Sequence, residues 1–282
     1  MNEQLEQIRN QQEQSWNRFS PGWRKWDNFN MAFLRPMGDA IVKHLDVQPV
    51  DVALDIATGT GEPGLTIAAI ATQGHVTGTD LAANMLETAA ANASRLGLTN
   101  YTTQVADACA LPFNDQSFDK VSCRMGFMFF PDMQIAANEI FRVLKPGGRF
   151  ATSVWGSPEH NFWISAIMSV IGRHIQLPPP VPGAPGMFRC GKPGFIADML
   201  INAGFSNAGE EVINDKVDYG DADAYWQNMM EVAAPIVAIM DKADAEAKAA
   251  IKRDVYELVN SHAVGGKVLL EFEARIIYAE KP

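Results

Sequence analysis

The sequence predicts a doubly wound α/β fold on a mostly parallel, seven-stranded sheet. Two observations carry this. Short apolar runs alternate with helix-patterned segments from about residue 50 to 155, the signature of parallel strands with helices on both faces. Two further strand-like runs, 209–219 and 267–281, come after a mostly helical stretch, 222–264.

Leu5, Ile8, Trp16 and Phe19 share one face of a helix over residues 3–19. The aromatic stretch FSPGWRKWDNFNMAF comes next, broken at Pro21-Gly22, and Leu34, Met37, Ile41 and Leu45 then mark a helix over 33–46. Residues 1–46 therefore form a helical segment outside the alternating pattern, and residues 47–282 form the main domain, with a helical insertion at about 222–264. VDVALDIA (50–57) is a nearly continuous apolar strand, as expected when both faces are covered. A helix over 63–72, the strand HVTGTD (75–80) and a helix over 82–97 ending at Gly97 come next. YTTQVAD (101–107), FDKVSCR (118–124) and GRFATSVW (148–155) are the third to fifth strands. The helix over 131–144 stops at Lys145-Pro146-Gly147-Gly148. LPPPVPGAPG (177–186) is a surface loop.

Composition narrows the function. The chain has 282 residues, 47% of them hydrophobic, and a net charge of −10. Such an acidic chain is a poor partner for nucleic acid, which is bound through Lys and Arg on phosphates. Cys109, Cys123 and Cys190 are far apart and odd in number, with no C-x-x-C or H-E-x-x-H spacing. Neither a disulfide framework nor a metal site is indicated, and the thiols suit a reducing compartment. The polar start MNEQLEQIRNQQEQ has no signal-peptide character, and no apolar run is long enough to span a bilayer. The expectation is a cytoplasmic monomer or homodimer without stable membrane insertion.

Within VALDIATGTGEPG (52–64), Gly59-Thr60-Gly61-Glu62-Pro63-Gly64 fits the dinucleotide fingerprint G-x-G-x-x-G letter for letter. Asp80, about 20 residues beyond the turn, suits a ribose in any cofactor reading. Glu62 separates the readings. It opens the next helix, where a dinucleotide places its pyrophosphate and a carboxylate competes for the same N–H groups. A cofactor with a sulfonium and no phosphate meets no such conflict, although Glu62 read simply as a helix cap stands beside this.

Asp55-x-Ala57-x-Gly59-x-Gly61 resembles motif I of the class I S-adenosylmethionine-dependent methyltransferases, with Ala57 where the pattern has its first glycine. GTDLAANML (78–86), DACALPFNDQSFDKV (107–121) and RVLKPGGRF (142–150) are similar to the family's later segments, in order. The subgroup most similar is that of ubiquinone and menaquinone C-methyltransferases, through D-x-A-x-G-T-G-E-P, R-x-G-x-M-F-F-P-D and VWGSPEHNFW (154–163). The resemblance implies a Rossmann-like sheet ending in an antiparallel pair. It also implies S-adenosyl-L-methionine as cofactor, S-adenosyl-L-homocysteine as product and a small-molecule acceptor, apolar or aromatic, methylated on carbon or oxygen.

Residue by residue, the resemblance implies that Thr58, Gly59 and Gly61, with Ala57, form the turn against the methionine part. Asp55 would hold its ammonium group, directly or through water, and the Arg124 carbonyl would join it. Asp80 would take the ribose hydroxyls, Leu81 and Met85 would pack on the adenine, and Asp107 with Ala108 would meet the adenine edge. Trp23 and Trp26 lie in a segment that covers the cofactor as a lid in related enzymes, or they anchor a helix to the sheet. Trp23, Met125, Phe129 and Trp155 are candidates for the acceptor pocket. His160, beside Glu159 after the fifth strand, is the candidate general base, or a surface histidine. Two other classes remain open on sequence: a nicotinamide oxidoreductase, and a cofactor-binding protein without catalysis.

Overall fold

The computed structural model describes residues 3–177, 181 and 183–282. Pro178, Pro179, Pro180 and Pro182 of the proline-rich stretch lie outside the described residues.

The chain begins with two long helices, α1 (Glu3–Lys25) and α2 (Asp27–Leu45). The expected break at Pro21-Gly22 is absent, and the second helix starts earlier than 33. Pro21 has no N–H for the Asn17 carbonyl four residues back. That carbonyl instead accepts from Ser20 Oγ at 2.9 Å and from Asn84 Nδ2 at 3.4 Å. The helix therefore runs through the proline. Gly22 is needed for packing, since a Cβ there would sit 2.0 Å from the Glu231 carbonyl oxygen.

The alternating region supplies β1 (Val52–Ile56), α3 (Gly64–Ile70), β2 (His75–Asp80), α4 (Ala83–Arg95), β3 (Tyr101–Val105), β4 (Phe118–Arg124), α5 (Met133–Val143) and β5 (Leu144–Trp155). Strands β1 to β5 pair in parallel. The fifth strand begins at Leu144, before the expected 148. Leu144 pairs with Phe118, the register shifts, and pairing resumes at Arg149 with Lys120. The Pro-Gly-Gly segment is thus an irregularity inside the strand, with Gly147 at φ 75.

Beyond β5 come α6 (Phe162–His174), α7 (Phe195–Asn202), β6 (Ser206–Asp218), α8 (Ala222–Val232), α9 (Ala234–Met240), α10 (Ala245–Ser261), β7 (Ala263–Val264) and β8 (Lys267–Glu280). The sheet order is β3-β2-β1-β4-β5-β8-β6, and β8 runs antiparallel to both neighbours. The seven expected strands are present. The additional β7 is two residues long and pairs with β8 through Gly265 and Gly266, at φ 60 and 81, in a tight hairpin. Leu54, Val121, Phe150 and Ile276 are buried at the centre of the sheet.

Strand order reverses between β1 and β4, which are hydrogen-bonded neighbours. Their carboxyl ends therefore lie side by side at the switch point, where open α/β sheets bind ligands. No helix among the described residues is long and apolar enough to cross a membrane.

Candidate cofactor and acceptor site

The turn after β1 is held from below by Asp55. Its side chain is fully buried and accepts from Thr58 Oγ1 at 2.6 Å, Ser122 Oγ at 2.6 Å and the Gly64 N–H at 3.1 Å. Burial pushes this carboxyl up to about 6, against the lowering effect of those bonds and of the nearby Arg124 cation. Gly64 is close-packed, since a Cβ there would lie 2.9 Å from Asp55 Oδ2. Tyr101 joins the support, its hydroxyl 2.9 Å from Thr58 Oγ1. It reaches Thr58 by passing over Gly78 of β2, where a Cβ would meet the Tyr101 hydroxyl at 2.1 Å.

The top of the turn faces a cavity of about 410 Å³. Gly59, at φ 56, donates its N–H to Asp80 Oδ2 at 3.0 Å, and Asp80 Oδ1 accepts from the Ala82 N–H at 2.9 Å. Burial raises the Asp80 carboxyl above its ordinary value, with the N–H groups of Ala82, Gly59 and Leu81 opposing. Asp107 Oδ1 accepts from the Cys109 N–H at 2.9 Å, while its buried Oδ2 has no hydrogen-bond partner and faces Arg9 Nε of α1 at 3.2 Å. Arg124 reaches Met31 Sδ at 3.1 Å and the Leu34 carbonyl at 3.5 Å, and burial lowers its guanidinium below the usual range.

The structure brings most of the expected residues to this one cavity. Ala57, Thr58, Gly59, Asp80, Leu81 and Met85 line it, as do Asp107, Ala108 and Arg124. The candidates for the acceptor side, Trp23, Met125, Phe129 and Trp155, line it too. Ala57 has φ 53, and its methyl is tolerated because the facing residue is Gly126, where a Cβ would come within 2.5 Å of it.

Four expected residues lie elsewhere. Asp55 sits beneath the turn, with no exposed surface to meet a ligand. Gly61 packs on Leu65 Cδ1, which an added Cβ would approach to 2.6 Å. Trp26 points to α8, its Nε1 donating to Glu231 Oε2 at 2.7 Å. His160 is 61% exposed and paired at 2.7 Å with Glu273, off the cavity wall. Glu62 combines both readings offered for it. It lines the cavity, and its Oε2 caps α3 by accepting from Thr66 N–H at 3.2 Å and Thr66 Oγ1 at 2.7 Å.

Apart from Trp23 in the expected lid segment, the residues of the cavity roof have no signature in the sequence. Gln12, Trp16 and Asn30 contribute from α1 and α2, Asn228 and Met229 from α8. The helix α1 is fixed over the opening by Trp16 edge-on to Phe129 at 5.2 Å, and by Lys25 on Glu231 at 2.7 Å. Among the described residues no cluster of His, Cys, Asp or Glu could hold a metal.

A family model described as a methyltransferase domain matches residues 53–148. An uncharacterised protein of Mycobacterium tuberculosis is 38% identical over 135 residues, which is 47% of this chain and 48% of that protein. The chain thus spans about half the length of the curated mycobacterial relatives it matches. The demethylmenaquinone methyltransferase of Listeria monocytogenes is 32% identical over 181 residues, covering 58% of this chain and 74% of that enzyme. In fold, the YcgJ protein of Bacillus subtilis superposes with a TM-score of 0.58 at 20% identity, over 86% of this chain and 97% of that one. With the acid-lined turn at the switch point and the antiparallel β8, these findings show that the chain belongs to the class I S-adenosylmethionine-dependent methyltransferase family.

Proposed function

We propose that the protein transfers a methyl group from S-adenosylmethionine to a small, apolar or aromatic acceptor of quinol-like character. The observation that carries this is a single cavity with two unlike walls. One is the Gly59 turn with Asp80 and Asp107, and the other is aromatic and methionine-rich, with Trp16, Trp23, Phe129 and Met125.

The residues present fit the cofactor. Gly59 carries no side chain and an added Cβ there would meet nothing within 4 Å, so a ligand can lie directly on the backbone. Asp107 Oδ2, paired with Arg9 Nε at 3.2 Å, keeps lone pairs that can accept from an adenine amino group. In this reading Asp80 takes the ribose hydroxyls, Leu81 and Met85 flank the base, and the Arg124 carbonyl faces the ammonium group. The Arg124 guanidinium serves the carboxylate of the methionine tail. Asp55 acts through the turn rather than by touching the ligand. When bound, the cofactor supplies an activated methyl group with its own leaving group.

What remains for the chain is alignment and exclusion of water, which intramolecular models show to be worth several kcal/mol. Among the described residues that line the cavity there is no His, Lys, Tyr or Cys, and of the carboxylates Asp80 and Asp107 serve the cofactor in this reading while Glu62 is tied to Thr66 as a helix cap. This favours acceptors that are already nucleophilic, an electron-rich ring carbon or an ionised oxygen, over those that need a base. His160 has no part in this reading. The three cysteines are free, in keeping with a reducing cytoplasm, and the net charge of −10 disfavours a nucleic-acid acceptor.

Thermal unfolding with S-adenosylmethionine, S-adenosylhomocysteine or NADH tests the cofactor. Stabilisation by the first two is expected, and stabilisation by NADH alone would overturn the reading. Labelled cofactor with a panel of quinols, phenols and amines then tests the transfer. Label is expected in quinols and phenols.

A further inference from the structure

We propose that Asn30 and Asn228, together with the indole N–H of Trp23, hold a neutral oxygen of the methyl acceptor. The proposal rests on the methyl-transfer reading above and adds the polar chemistry of the substrate to it.

Asn30 and Asn228 are 3% and 2% exposed. Both line the cavity, and the amide nitrogen of each is buried without a hydrogen-bond partner. Trp23 Nε1 is in the same condition and belongs to the same wall. Buried polar groups are nearly always paired, and leaving one unpaired is costly. Three unpaired N–H donors, from the separate helices α2, α8 and α1, thus belong to residues lining one cavity. A structural amide would bond to the backbone of its own or a neighbouring helix, and these two do not.

The donor set specifies what completes it. An indole N–H can only donate, so its partner is an acceptor atom and not an ammonium group. The amides are neutral and can both donate and accept, which suits a carbonyl or a hydroxyl. The charged residues of the cavity, Glu62, Asp80, Asp107 and Arg124, follow or end strands β1, β2, β3 and β4. None comes from the helices that carry Asn30, Asn228 and Trp23. An ammonium headgroup on this wall would find no carboxylate from α1, α2 or α8, and the guanidinium of Arg124 already reaches Met31 and Leu34 of the helix that carries Asn30, so a cation there is costly. The acceptor is therefore an apolar frame bearing at least one neutral oxygen, and the amides set which of its atoms faces the methyl donor.

The test uses the protein loaded with S-adenosylhomocysteine and three probes on one frame: tetralin, 1-tetralone and 1-aminotetralin. Calorimetry is expected to find the ketone bound at least tenfold more tightly than the hydrocarbon, and the ammonium compound no more tightly than the hydrocarbon. Asn30→Leu and Asn228→Leu should each remove at least fivefold of the ketone's advantage. Tetralin and S-adenosylhomocysteine affinities should hold, and the melting temperature should not fall, because each substitution replaces an unpaired amide by an apolar group. Equal binding of tetralone and tetralin by the wild-type protein would overturn the proposal, whatever the variants do. So would an advantage that survives both substitutions. Failure of the wild-type protein to bind S-adenosylhomocysteine would instead overturn the methyl-transfer reading.

Discussion

Asp80 Oδ2 accepts the Gly59 N–H at 3.0 Å, so the last residue of β2 braces the turn that leaves β1. The same carboxylate lines the cavity and is raised by burial. Bracing and ligand binding both favour its charge, and burial works against it. Asp80→Asn keeps an oxygen for Gly59 but removes the charge that ribose hydroxyls would meet. Affinity for S-adenosylhomocysteine should fall at least tenfold, consistent with about 1.5–3 kcal/mol for a hydrogen bond to a charged group. The melting temperature without ligand should fall as well, because the new Nδ2 faces the Ala82 N–H that Oδ1 accepts in the wild-type protein. Calorimetry and thermal unfolding read the two effects separately.

Asp55 makes stability depend on pH. Its folded carboxyl keeps a proton up to about pH 6, against an ordinary value of 3.8. Between those values the folded state binds more protons than the unfolded one, so stability falls as pH rises through the window and levels off above it. The shift corresponds to about 3 kcal/mol at most. Urea unfolding of the wild-type protein and Asp55→Asn from pH 4 to pH 7 should show this component in the former and not in the latter.

Ala57 and Gly126 share room for one methyl group. A Cβ at Gly126 would sit 2.5 Å from Ala57 Cβ and 2.9 Å from Cys123 Sγ. Gly126→Ala should destabilise by about 1–3 kcal/mol, as overpacked cores do. Adding Ala57→Gly should restore part of the loss, and a double-mutant cycle of melting curves measures how much. Full independence of the two substitutions would contradict the shared space.

Glu231 pins the carboxyl end of α1, accepting from Lys25 Nζ and from Trp26 Nε1, each at 2.7 Å. Burial works against this carboxylate, yet those two donors hold it below its ordinary value. Glu231→Ala should cost about 1 kcal/mol and raise amide hydrogen exchange in α1 more than in the sheet. Faster dissociation of S-adenosylhomocysteine should accompany it, measurable by stopped-flow displacement.

The floor of the site is legible in the sequence because it is made of strand ends. Gly59, Asp80, Asp107 and Arg124 each follow or close a short apolar run, and parallel pairing brings such positions to one edge. The roof is legible only at Trp23, through the expected lid. Asn30, Trp16 and Asn228 sit on helix faces whose partners are distant in sequence, and nothing local marks a residue that faces a cavity rather than a core. Asp55 illustrates a second limit. Its place in the turn is plain, but whether its carboxylate points up to a ligand or down to Ser122 is decided by β4, 67 residues later. Pro21 misleads for the opposite reason. Its local cost is real, while the compensating contacts from Ser20 and Asn84 depend on how α1 lies against α4.

The position of α1 also bears on how the molecule is made. The helix ends at Lys25, and its anchors Glu231 and Asp241 lie 206 and 223 residues beyond their partners Lys25 and Arg18. At a ribosomal pace of roughly 5–20 residues per second, about 10–40 seconds separate the emergence of the helix from that of its anchors. For that interval the apolar face of α1, with Trp16 and Phe19, has no finished surface to lie on. The nascent chain therefore carries an early helix whose face is covered in two stages, first by α4 and Phe129 and only in the last third of the protein by the anchors of α8 and Asp241.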